Sequence, residues 1–60
     1  MDNLIDSLNK NKKGYVFDLR SDKDWHCLWL TKGKNSRCIF AAEYCSMQTA
    51  ICVLINFFGI

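Results

Sequence analysis

The sequence predicts a small α+β domain in which a short N-terminal helix, a three-stranded antiparallel meander and a C-terminal apolar helix follow one another (αβββα). Three observations lead there. Apolar and polar residues alternate through "GYVFDLRSD", the period of a strand with one wet face. Two clusters of turn residues, "SDKD" and "TKGKNS", punctuate the middle of the chain. The closing stretch "SMQTAICVLINFFGI" is apolar on nearly every side and carries no charge.

Residues 2–13 read as a helix with Leu4, Ile5 and Leu8 on one face, Asp2 or Asn3 at its start, Lys10, Lys12 and Lys13 at its negative end, and Gly14 as its stop. The first strand follows, placing Tyr15, Phe17 and Leu19 on one face and Val16, Asp18 and Arg20 on the other. In the second, "DWHCLWL", Trp25, Cys27 and Trp29 occupy one face while Leu28 and Leu30 occupy the other beside His26. Both faces of that strand are apolar, which is the pattern of a strand covered on two sides or of one whose second face meets a partner.

Residues 37–45, "RCIFAAEYC", fit two structures. As a helix they would run on into the final segment and align Cys38, Cys45 and Cys52, spaced by seven. A hairpin turn before them and a fresh helix start at Ser46 favour a third strand. The last helix then runs from Met47 to Phe58 with Ser46 as its N-cap and Gly59 as its stop. Proline is absent and no repeat or low-complexity linker interrupts the chain, so residues 1–60 form a single domain.

A domain of this length buries only about 60% of the surface its unfolded chain exposes. Its core supplies roughly 3 to 5 kcal/mol, so disulfides, a metal or a partner are the usual supplements. The polar N-terminus "MDNLIDSLNKNKKG" is unlike a secretory signal, so the expected location is the cytoplasm and the four cysteines are expected to be free thiols. The gaps between them hold ten, six and six residues, and the single histidine, His26, adjoins Cys27 and points to the opposite strand face. That spacing excludes the usual zinc patterns and leaves Cys27 without a paired base, so no metal, cofactor or catalytic residue is expected. Glycine-rich phosphate loops, nucleophile elbows and paired carboxylates are also missing, and the chain is expected not to be an enzyme. A partner is the remaining support.

Two surfaces are candidates for it. Trp25 and Trp29 either fill the core beneath the final helix or anchor a protein interface, together with Leu28, Leu30, Phe57 and Phe58. Lys10, Lys12, Lys13, Lys32, Lys34 and Arg37 are candidate phosphate contacts for a nucleic acid. Eight Lys and Arg stand against six Asp and Glu, a net charge of +2, and Asp18, Asp22, Asp24 and Glu43 lie close enough in sequence to dilute the field of those cations.

The order helix, three strands, helix resembles that of double-stranded-RNA-binding domains. In that family the final helix opens with a lysine cluster that grips phosphates. The corresponding stretch here, "SMQTA", holds no cation, so the resemblance covers topology alone. A helix from Met47 to Phe58 spans roughly 18 Å against a bilayer core of about 30 Å, so a tail anchor would have to recruit "CIFAAEY" and bury Glu43. The function expected from these features is a non-catalytic miniprotein that docks on a larger protein as an inhibitor or adaptor, similar in size and plainness to small phage inhibitors of host defence enzymes or to antitoxins. The alternatives are a small nucleic-acid-binding module using the two lysine clusters and a tail-anchored membrane protein; the partner expected is another protein, a second copy of the chain among the candidates.

Overall fold

The computed structural model covers residues 1–60, and its elements follow the predicted order: α1 (Asp2–Leu8), β1 (Val16–Asp22), β2 (Trp25–Lys32), β3 (Asn35–Glu43) and α2 (Tyr44–Phe58). The strands form one antiparallel sheet in the order β1-β2-β3, and both helices lie on the same side of it. β1 meets β2 with Phe17 opposite Leu30 and Leu19 opposite Leu28. β2 meets β3 with Trp25 opposite Glu43, Leu28 opposite Phe40 and Trp29 opposite Cys38. A bulge between Leu28 and Trp29 leaves Ile39 as the extra residue, and Ile39 packs on the core.

Residues 37–43 are therefore strand, but the final helix begins three residues earlier than the Ser46 cap implies. Strand passes to helix without a loop: Glu43, still extended at φ −68° and ψ 167°, is the N-cap and offers no side-chain hydrogen bond. Starting at Tyr44 sets Met47 and Ile51, one turn apart, facing the sheet, and both are fully buried. Gly59 closes α2 in the left-handed region at φ 72°, with its N–H on the Asn56 carbonyl and that of Ile60 on the Ile55 carbonyl. This is the Schellman arrangement expected of a C-terminal glycine.

α1 ends at Leu8 and does not continue to residue 13. The reason is local. The Asn9 side chain leaves the helix to bond the main chain of Phe17, and that of Asn11 bonds the carbonyls of Leu8 and Tyr15 while accepting from the N–H of Lys13 and Tyr15. Asparagine competes in this way with helix continuation, and the two residues staple the connection to β1.

The core is one cluster of Leu8, Phe17, Leu28, Met47 and Ile51, drawn from both helices and the first two strands. Only six of the sixty residues are buried, because the helices cover a single face of the sheet. That geometry corrects three expected partner contacts. Leu28 is fully buried against Met47 and Ile51, Leu30 packs on the same cluster, and Phe58 turns inward with ring centroids 6.0 Å from Tyr15 and 5.9 Å from Phe17. A strand between two neighbours and beneath a helix must offer one face to that helix, and the leucine face of β2 is the one taken.

Candidate functional site

The tryptophans lie on the sheet face that no helix covers. Alternation from buried Leu28 sends Trp25, Cys27 and Trp29 the other way, and the register sets Asp18 beside Trp29 and Arg20 beside Cys27 on that face. β3 adds Cys38 opposite Trp29 and Ala41 opposite Cys27. Trp25 is 51% exposed and Trp29 is half-buried. The difference comes from Arg20, whose guanidinium carbon sits 4.4 Å from the Trp29 ring centroid. Arg20 is in turn held by Asp18 at 3.7 Å, although both side chains are well exposed and the ion pair itself adds little stability. The stack is worth about 0.5–1 kcal/mol at such an exposed site. One indole is thus fixed in place while the other stands free.

Between them lies a pair of thiols. The four cysteines are all unpaired, and Cys27 is only half-exposed, whereas Cys38, Cys45 and Cys52 are exposed. The Cys27 thiol is pushed above its ordinary pKa, first by partial desolvation, then by the charge and hydrogen bond of neighbouring Cys38, and last by Asp22. Cys38 also donates to the Phe40 carbonyl at 3.5 Å. His26 points to the opposite face from Cys27, where its Nδ1 lies 2.7 Å from the Ser21 hydroxyl and its ring meets the edge of Tyr44 at 5.8 Å. No three His, Cys, Asp or Glu side chains gather where they could hold one metal ion.

The basic residues, dispersed in sequence, are brought to one end of the molecule. Lys10, Lys12 and Lys13 surround a hollow floored by Phe58, Gly59 and Ile60. Lys32 and Arg37 flank a second hollow beside Tyr15 and Leu30. Tyr15 joins the two, with its ring against Phe58 and the Lys32 ammonium 4.7 Å from its centroid. Lys34 sits in the adjoining β2–β3 turn. Neither hollow has an acidic residue in its lining.

Asp22, Asp24 and Glu43 gather around Trp25 at the opposite end of the strands. Six residues of strand separate them from the basic end, roughly 20 Å at the standard rise. That exceeds the screening length of about 8 Å at physiological salt, so these acids do not dilute the cations as their sequence positions suggest. Only Asp18 stays mid-strand, and it is engaged by Arg20.

A third feature was not legible from periodicity. Along the β3 edge, Ile39, Phe40, Ala50, Val53 and Leu54 line a hollow with no polar residue, and Phe57, 79% exposed, extends the stripe by one helical turn. The even apolar character of "AICVLINFF" conceals which side of α2 meets the sheet. No helix of the molecule is long and apolar enough to cross a membrane. The chain matches no protein-family model, no curated protein and no solved structure.

Proposed function

We propose that this chain is a non-catalytic docking module that binds a larger protein through the uncovered face of its sheet, acting as an inhibitor or adaptor. The observation that carries this reading is the placement of Trp25 and Trp29 on that face. Tryptophan is enriched among the residues that dominate interface energetics, and here the fold leaves two of them outside its core. Arg20 stacked on Trp29 adds a second favoured interface residue, pre-ordered before binding. The leucine face of β2 supplies the fold, so the tryptophan face is free to serve recognition.

Trp25→Ala and Trp29→Ala test this in affinity capture from host lysate followed by isothermal titration against the captured protein. Each should weaken binding by more than about tenfold while the circular dichroism spectrum stays unchanged. Equal capture by the wild type and both variants would end the proposal.

The basic end supports a second reading, as a small nucleic-acid-binding module. Five cations line two hollows that hold no acid, Lys34 lies in the adjoining turn, and together they form a footprint for several phosphates, with Tyr15 and Phe58 in between. Binding to RNA or DNA at this end should fall steeply between about 50 and 200 mM salt. A flat salt response, or no gel shift at low salt, would remove it.

A further inference from the structure

We propose that two copies of this chain associate through the free edge of β3 and the adjoining flank of α2, giving a six-stranded antiparallel sheet with four helices on one side. The two edges of the sheet are not equivalent. On the β1 side, the Asn9 and Asn11 side chains occupy main-chain groups of Phe17 and Tyr15, which blunts that edge where the strand begins. The nine-residue edge of β3 has no such cover. The one side-chain hydrogen bond to its main chain is that of the Cys38 thiol to the Phe40 carbonyl. A long uncovered edge is a template for another strand, here on either side of the Ile39 bulge.

Beside that edge runs an apolar wall. Phe40 and Val53, 41% and 61% exposed, line the hollow, and Phe57 lies one turn beyond Val53. Residues 44–60 carry no charge that a partner would have to desolvate. A strand added at β3 would therefore need to bring an apolar helix flank with it, which a second copy does.

Charge selects the same occupant. β3 runs from the basic end, marked by Lys34 and Arg37, to an end where Glu43, Asp22 and Asp24 outnumber the single cation Lys23. Antiparallel self-pairing about a dyad near the middle of β3 sets the basic end of each copy against the acidic end of the other. It also satisfies two-fold symmetry, since one patch serves both copies. A standard interface needs about 800 Å² per partner. That is roughly a fifth of the 4426 Å² accessible on one copy. The tryptophan face takes no part, so the dimer leaves it open and duplicated.

Sedimentation equilibrium across a micromolar concentration series tests this directly. The wild type should approach twice the 7.0 kDa chain mass, and the association should weaken as salt rises. Val53→Glu should return the mass to one chain with the same circular dichroism spectrum, while Trp25→Ala should leave the dimer intact. Hydrogen exchange on the wild type provides a measurement independent of any variant, because β3 edge amides should lose protection on dilution while those of β2 keep it. A wild-type monomer throughout, a dimer broken by Trp25→Ala but untouched by Val53→Glu, or β3 protection independent of concentration would each overturn the proposal. Because these readouts do not involve the larger protein, failure of the dimer and failure of tryptophan-mediated docking are separately visible.

Discussion

The Asn9 carboxamide closes a two-bond ring with the main chain of Phe17, its Nδ2 donating to the Phe17 carbonyl at 3.0 Å and its Oδ1 accepting from the Phe17 N–H at 2.7 Å. A side chain thereby does for the outer edge of β1 what a neighbouring strand would do. It also ties the end of α1 to a strand whose Phe17 is buried in the core.

Asn9→Ala removes both bonds at once. At about 1 kcal/mol for each, the loss is roughly 2 kcal/mol, a large fraction of the stability of so small a domain. Thermal unfolding followed by circular dichroism should show the midpoint fall by on the order of 10 °C. Asn9→Asp keeps the acceptor but places a carboxylate oxygen against the Phe17 carbonyl, and it should be no better than alanine. An unchanged midpoint in both would mean that the ring is incidental.

The two faces of β2 predict opposite responses to truncation. Leu28→Ala opens a cavity among Met47, Ile51 and Phe17 and should cost about 2–5 kcal/mol, enough to unfold much of the population at room temperature. Trp25→Ala removes a half-exposed ring from a face with no cover and should change stability by less than about 1 kcal/mol. Urea titrations of the two variants decide it. The reverse ranking would mean that the tryptophan face is the core.

Lys23 is the one non-glycine residue in the left-handed region, with φ 53° in the two-residue turn joining β1 to β2. A Cβ in that region crowds the following carbonyl oxygen at a cost of about 1–2 kcal/mol, less for asparagine than for lysine. Lys23→Asn should therefore raise the urea midpoint modestly, by the equivalent of roughly 0.5 kcal/mol, without altering the cooperativity of unfolding. A lower midpoint would show that the lysine makes a compensating contact.

Cys27 should be the slowest of the four thiols to alkylate. Its thiolate is disfavoured by partial desolvation, by Cys38 and by Asp22, so its rate against pH is displaced to higher pH, and Cys38→Ser should move it part of the way back. Linkage follows in sign. The folded chain holds this proton more tightly than the unfolded chain does, so the contribution to stability is complete below the unfolded pKa and is lost as pH rises through the folded one. Timed iodoacetamide labelling read by mass spectrometry checks the order. Labelling of Cys27 before Cys38 would contradict it.

Local chemistry was enough to read the element order from the chain. Alternation in "YVFDLR", the turn residues of "SDKD" and "TKGKNS", and glycines at the turn before β3 and the end of α2 are each set by the backbone within a few residues. Even the ambiguous "RCIFAA" resolved as a strand by its neighbouring turn. The end of α1 was less legible, because Asn9 and Asn11 act on β1 residues that a helical period does not reveal.

Which faces are left over depends on how the elements pack. β2 carries a leucine face and a tryptophan face of comparable hydrophobicity, and the choice between them was made by where Met47 and Ile51 reach once α2 begins at Tyr44. The gathering of cations at one end depends on strands reversing direction twice, so that Lys10–Lys13, Lys32 and Arg37 meet although up to twenty-seven positions separate them. Periodicity reports how residues point along one element. The packing of elements against one another determines which of those directions still faces water.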